Sequence, residues 1–195
     1  NIHKAELYAG TEYNYVGKEK ADYKEVAQAI ADGKIVGWFQ GKSESGNRAL
    51  GNRSILADVR NPDIKDIINS TIKMREDFRP FAPAVLEEHY KQYFETNQPS
   101  PYMSRICKVK PEMKEVIPGV THVDGTARIQ TVNKNDNSKF YELIREFGEI
   151  TGVPMLLNTS FNCQEPIVET PENALKTFKK TQLDILVIND YIIRK

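Results

Sequence analysis

The chain has little of what several protein classes need. It carries only two cysteines, Cys107 and Cys163, in 195 residues. That excludes a disulfide framework and fits a reducing, cytoplasmic setting. Its 27 basic side chains match 27 acidic ones, so it lacks the field that grips nucleic acid or anionic lipid non-specifically. No apolar run approaches the ~20 residues that span a bilayer, and there is no signal-peptide pattern. Histidine is scarce: His3 and His89 are isolated, while His122 with Asp124 supplies two metal ligands where a site needs more. Cys163 has no histidine near it in sequence to activate it as a nucleophile. Repeats and low-complexity tracts are also missing. The first residue is Asn1 rather than Met, which leads us to expect a fragment of a longer chain.

What is present is enough for a sizeable core, with 39% hydrophobic residues, and a pattern that alternates helix and strand. Asp22 opens a helix with Glu25 three residues on, and Gly33 closes it. Residues 35–39 read as a strand and residues 41–51 as a glycine-bearing loop. Asn61-Pro62 starts a helix with Ile64, Ile67, Ile68 and Ile72 at helical spacing. Short strands are expected at 84–86, 104–109, 128–132, 153–157, 185–188 and 191–193, and a short helix at 87–94. Ser138 begins an amphipathic helix carrying Phe140, Leu143, Ile144 and Phe147, ended by Gly152, and Pro171 begins another. The class is therefore α/β. Residues 21–195 form one domain, and the polar residues 1–20 form an arm or linker with Tyr8, Tyr13 and Tyr15 as docking points. Trp38 reads as core rather than as a base-stacking platform.

Chemistry gathers in four loops beside the expected strands. Five of nine arginines lie between residues 48 and 79, and Arg in a cluster suits forked recognition of phosphate or carboxylate. The first loop, 41–53, joins glycines to Glu44, Asn47, Arg48, Asn52 and Arg53; it lacks the Gly-Lys-Ser/Thr ending of a Walker loop. The second is Lys73, Arg75 and Arg79 at a helix end, where the helix dipole alone would also favour cations. The third is Asp124 to Gln130, whose alternation puts Arg128 and Gln130 on one face and Ile129 on the other. The fourth is Asn158-Thr159-Ser160-Phe161-Asn162, read as a strand breaking into a polar loop. Its amides and hydroxyls suit phosphate, ribose or a carbamoyl amide; the plainer reading is a turn bonding its own backbone.

Four stretches in this order, Glu44–Asp58, Lys73–Pro83, Asp124–Gln130 and Asn158–Val168, resemble the signature of the nodulation- and antibiotic-type O-carbamoyltransferases over roughly residues 35–195. The resemblance implies a fold similar to the threonylcarbamoyl-adenylate synthase (YrdC-like) domains, a twisted mixed sheet with flanking helices around a basic cavity. It implies ATP with its Mg²⁺, and carbamoyl phosphate, as ligands, and a carbamoyl-adenylate as product. It also implies a partner, an N-terminal ASKHA-type transferase domain of the same full-length chain, which passes the carbamoyl group to a hydroxyl. Lys73-x-Arg75 resembles the Lys-x-Arg of the synthases, and Ser160-Phe161-Asn162 their Ser-Ala-Asn. On this basis Arg48, Lys73, Arg79, Arg128 and Ser160 are the expected catalytic residues. Arg53, Arg75, Asn158 and Asn162 are the expected nucleotide or phosphate ligands. No protein metal cage is expected.

Two departures stand out. Asn47 occupies a position where the family pattern has Pro, and the loop Cys163-Gln164-Glu165 is one residue short and lacks the usual Gly, which would reshape it. A non-catalytic nucleotide- or RNA-binding module, or a structural domain whose site has decayed, are the competing readings. Zero net charge counts against RNA, and the retained polar residues of all four loops count against decay.

Overall fold

A computed structural model describes residues 6–76 and 80–195. Its strands are β1 (Glu19–Lys20), β2 (Val36–Phe39), β3 (Arg53–Asp58), β4 (Ala82–Leu86), β5 (Arg105–Lys108), β6 (Thr126–Val132), β7 (Met155–Ser160), β8 (Ile185–Ile188) and β9 (Tyr191–Arg194). They form one mixed sheet in the order β1-β9-β8-β2-β3-β7-β4-β6-β5. β2 with β8 and β4 with β6 run parallel, and the other neighbours run antiparallel. The helices are α1 (Tyr23–Ala31), α2 (Ile64–Ile68), α3 (Tyr90–Tyr93), α4 (Ser138–Thr151) and α5 (Pro171–Lys180). The expected α/β class, a mixed sheet with flanking helices, is what the chain adopts.

Period-two alternation along the central strands builds two cores. Val36, Trp38, Leu56, Ala84 and Leu156 face α1 and α4, meeting Val26, Ile30, Phe140 and Phe147. Phe39, Ile55, Ala57, Val85 and Leu157 face the other way, toward Ile64 and Ile68 of α2 and Ala174 and Phe178 of α5. The sheet is thus covered on both faces, which is why its central strands are apolar almost throughout. Trp38 is buried among these residues, and its indole N–H donates to the Gly51 carbonyl at 2.9 Å.

The helix ends follow local chemistry. Asp22 caps α1 by accepting from the Lys24 N–H at 2.9 Å. Asn137 caps α4 through the Phe140 N–H at 3.1 Å, and Gly152, at φ 75°, terminates it. Thr170 and Asn173 form a reciprocal capping box at α5. α2 widens into a π turn over Asn69–Lys73, which ends at Met74 in the left-handed region at φ 52°. That reversal leaves Lys73 buried and Arg75 exposed, two residues apart.

Three expectations need correction. The sequence reading leaves Arg53–Asp58 unassigned, yet it is β3, paired with β2 and β7 at the centre of the sheet. An arginine at its start and an aspartate at its end disguise four residues that pack on both faces. β7 does not break at Asn158 but runs on through Ser160, so Asn158, Thr159 and Ser160 are strand residues. Phe161 then plugs into the core, fully buried. The arm is also more integrated than a linker. Residues 19–20 pair with β9, and Tyr13 and Tyr15 pack on the core.

Candidate active site

The loop between β2 and β3 is held by a carboxylate. Glu44 Oε1 accepts the backbone N–H groups of Leu50, Asn52 and Arg53 at 2.8, 2.9 and 3.1 Å. The loop's carbonyls are gripped in turn. Asn158 Nδ2 reaches Ala49 O at 3.1 Å, and Gln130 Nε2 and the Tyr8 hydroxyl both reach Leu50 O at 2.8 Å. Gly51 has φ 108°, and a Cβ there would stand 2.1 Å from the Phe140 ring, so only glycine fits. The arm closes the outer edge through Gly10 N to Ser43 O at 3.1 Å and Ser45 N to Leu7 O at 3.0 Å. With both flanks tied down, Asn47 and Arg48 are presented at the tip.

That tip borders a cavity of about 580 Å³. Arg48 comes from the loop, Arg75 from the end of the π turn, Arg128 from β6, and Asn158 and Ser160 from β7. Arg48 and Arg128 are close enough for charge to matter: burial, and then the Arg128 charge, pushes the Arg48 guanidinium down from its ordinary value. Arg75 Nε donates to Asn69 Oδ1 at 3.2 Å, and its guanidinium lies 6.0 Å from the Phe81 ring centre. Like charges converging on one concave surface are favourable only when an anion joins them.

Asn158 is 1% exposed and lines this cavity. Its Nδ2 donates to Ala49 O at 3.1 Å and Gln130 Oε1 at 2.8 Å. Because a backbone carbonyl can only accept, the amide orientation is fixed. The buried Oδ1 then has no partner among the described residues. An unsatisfied buried acceptor costs about 1–3 kcal/mol, so this one favours a ligand bearing an N–H.

Lys73 stands behind the cavity rather than on its wall. Its ammonium donates to Ser160 O at 2.5 Å, Ser160 Oγ at 3.1 Å and Asn162 Oδ1 at 2.6 Å. Ser160 Oγ also donates to Asn162 Oδ1 at 2.8 Å, so three groups close on one another. Burial, reinforced by Arg75, pulls the Lys73 pKa down to about 7 despite Cys163 and Glu165 nearby. Lys73, expected among the catalytic residues, thus has its ammonium bonded to Ser160 and Asn162.

Arg53 is the clearest correction. It was expected to bind nucleotide or phosphate, but its side chain is fully buried on the opposite side of the loop. Its terminal nitrogens donate to the carbonyls of Gln40 (2.6 Å), Asn52 (3.1 Å), Gly41 (3.2 Å) and Thr11 (3.3 Å). The guanidinium sits 3.7 Å over the Phe39 ring, its partner across the β2–β3 ladder. Burial lowers its pKa below the ordinary arginine value, and the residue is not among those that line the cavity. Arg79 lies outside the described residues.

The shortened loop after Asn162 is held by the Glu165 carboxylate. Glu165 Oε1 accepts from the Cys163 N–H at 3.3 Å and from the Thr177 hydroxyl at 2.7 Å. Its Oε2 takes the Gln164 N–H at 3.1 Å and the Lys180 ammonium at 2.6 Å. Burial alone would raise the Glu165 carboxyl, but the Lys180 and Thr177 bonds outweigh it and hold the pKa at about 2. Among the described residues no positive φ occurs between 162 and 168, so the missing glycine is not required. Asn47, the other departure, lines the cavity beside Arg48.

Sequence reasoning set aside His122 and Asp124 as an incomplete metal site. Among the described residues no cluster of three or more metal-binding side chains occurs, yet both residues line the cavity. Their proximity to Arg128 in the chain was the signal that could have kept them in view.

The chain is thus an α/β sheet domain with a guanidinium-lined cavity, backed by a strand-borne amide and hydroxyl. Residues 27–195 match the family described as Carbamoyltransferase C-terminus, and the chain belongs to that family. The family expected from the motifs is the family found. Nodulation protein NolNO of Sinorhizobium fredii (strain NBRC 101917 / NGR234) is 51% identical over 173 residues, 87% of this chain and 25% of that protein. Full-length HypF, solved in its phosphate- and nucleotide-bound form, superposes with a TM-score of 0.60 at 22% identity, covering 87% of this chain and 25% of that one. E. coli YciO gives 0.54 at 14% identity, covering 88% and 86%. At such identities these two structures show a shared fold. The chain spans 25–33% of the length of the curated relatives it matches first. No described helix is long and apolar enough to cross a membrane.

Proposed function

We propose that this chain is the part of an O-carbamoyltransferase that binds ATP and carbamoyl phosphate and makes a carbamoyl-adenylate, with release of phosphate and pyrophosphate. The remainder of a longer protein, an N-terminal ASKHA-type domain, then passes the carbamoyl group to a hydroxyl acceptor. One observation carries the reading: a cavity lined by Arg48, Arg75 and Arg128 also holds the buried, unpartnered Asn158 Oδ1. A ligand that satisfies both must pair anionic oxygens with an N–H donor, and carbamoyl phosphate does so in one small molecule.

In the adenylating step a carbamate oxygen attacks the α-phosphorus of ATP. The bond to the β-phosphate oxygen breaks, and its electron pair leaves with pyrophosphate. Negative charge grows on that leaving group, where fixed guanidiniums stabilise the transition state more than the ground state. Arg48 and Arg128 take this role, with Arg75 on the nucleotide phosphates; Arg79 joins them on the motif alone. Ser160 and Asn162, fixed by Lys73, orient the α-phosphate, and Asn158 receives the carbamoyl N–H. Mg²⁺ would accompany ATP and supply charge neutralisation at its phosphates. Asp124 is the one carboxylate among the described lining residues, and it already accepts from the Thr126 N–H and hydroxyl. The fold of HypF, seen with phosphate and nucleotide, is compatible with such ligands.

The test is to mix the protein with MgATP and carbamoyl phosphate, follow pyrophosphate release, and look for carbamoyl-adenylate by mass spectrometry. Both products are expected, and both should be lost in Arg128→Ala. Micromolar ATP binding without either product would favour a non-catalytic nucleotide-binding module instead.

A further inference from the structure

We propose that His122, oriented by Asp124, accepts the proton of the water that attacks the carbamoyl carbonyl in this cavity, a role that rests on the function proposed above. The imidazole lines the same cavity as Arg48 and Arg128. Its Nδ1 lies 3.1 Å from Asp124 Oδ1, which places the Nδ1 proton toward the carboxylate and leaves Nε2 with a free lone pair. Asp124 is itself anchored by the Thr126 N–H at 3.0 Å and the Thr126 hydroxyl at 2.6 Å. This is the arrangement by which a carboxylate fixes the tautomer of a histidine base.

The fold does not need this imidazole. The turn is closed by backbone: His122 N–H to Thr126 O at 2.8 Å and Gly125 N–H to His122 O at 2.9 Å. Any residue could supply those two groups, yet the side chain that stands there lines the ligand cavity. The other titratable groups on the described lining suit base chemistry poorly. Three are guanidiniums, and the Thr126 bonds hold the Asp124 carboxyl below its ordinary value. Lys73 has its ammonium bonded to three acceptors behind Ser160. Imidazole, with one nitrogen donating and the other accepting, is the side chain that serves most often as a general base.

The step balances. Water oxygen bonds to the carbonyl carbon as one water proton passes to His122 Nε2. The carbon–oxygen bond to phosphate breaks, its electron pair leaves with the phosphate, and the second water proton goes to that phosphate. Carbamate remains, ready to attack ATP, and His122 returns its proton to solvent. The charges around the imidazole are Asp124 on its own turn, Lys114 against Gly125, and Arg48, Arg75 and Arg128 in the cavity.

The experiment uses the full-length protein that contains this chain and compares two drivers of pyrophosphate release from MgATP: carbamoyl phosphate, which needs the water step, and ammonium carbamate, which bypasses it. His122→Asn should slow the first by about 100-fold or more while the second changes less than about threefold, with the melting temperature kept. Asp124→Asn should slow the first by about tenfold while the second again changes less than about threefold, because the imidazole loses the carboxylate that orients it. Wild-type rates in His122→Asn with carbamoyl phosphate, or equal losses with both drivers, would overturn the assignment. Wild-type rates with carbamoyl phosphate in Asp124→Asn would remove Asp124's part in it. If the wild-type protein releases pyrophosphate with neither driver, the adenylation reading itself fails, and this inference falls with it.

Discussion

Arg48 and Arg53 sit five residues apart in one loop and do opposite things. Arg53 starts β3, so the strand register sends its side chain onto Phe39 and into four backbone carbonyls. Arg48 stands at the loop's tip, exposed, beside a cavity it shares with Arg128. Residue type is the same; the difference comes from the hydrogen-bonded ladder that begins between them. One arginine shapes the loop, and the other uses the shape.

The comparison breaks if Arg53 proves dispensable. Arg53→Met removes a donor from each of four carbonyls, of which those of Asn52 and Thr11 keep a backbone N–H, and leaves a poorly filled space over Phe39. We expect a loss on the order of 3–5 kcal/mol, read from urea unfolding, and a wild-type midpoint would refute the locking role. Arg48→Ala is the counterpart. Its stability should stay within about 0.5 kcal/mol of wild type, while pyrophosphate release at saturating substrates falls about 100-fold.

Lys73 sharpens the contrast, since it is buried like Arg53 yet can shed its charge. Its folded pKa of about 7 lies below the ordinary 10.5. Between those two values the unfolded chain holds more protons than the folded one, so stability rises with pH across that window and levels off above it. Below about pH 7 both states are charged and the contribution is at its minimum. From pH 7.5 to 9.5 the gain should reach up to about 2 kcal/mol, and Lys73→Met should lack it when urea midpoints are compared. The smallest effect is expected from Tyr8→Phe. It removes one of two donors to Leu50 O and the hydroxyl that accepts from Asn137 at 3.0 Å, costing about 1 kcal/mol in thermal unfolding.

The sequence was most legible where one face repeats. The apolar stripe and caps of α4, the Asp22 start of α1 and the Thr170-Pro171 start of α5 are local signals, and the structure keeps them. β3 was illegible because Arg53 and Asp58 look like loop residues, and the burial of Arg53 is satisfied in part by a group as distant in sequence as Thr11. The same limit applies at the site. Motifs brought forward Arg48, Arg75, Arg128, Asn158 and Ser160, and the fold gathers all five around one cavity. They could not tell Lys73 from a surface cation, because its burial depends on Ser160 and Asn162, 87 and 89 residues away. Nor could they show Glu44 as the clasp of the loop, since its three partners are backbone N–H groups.

The clamp of the arm on the Arg48 loop has a practical corollary for where this unit of the chain can be cut. The family match begins at residue 27, and a fragment trimmed there would pass for a complete module. It would discard the Asp22 cap, the Glu19–Lys20 pairing, and the backbone bonds from Leu7, Gly10 and Thr11 that border the loop. A fragment that keeps all of these contacts includes Leu7. The borders of the loop are therefore set in part by residues that lie outside both the family match and the cavity lining.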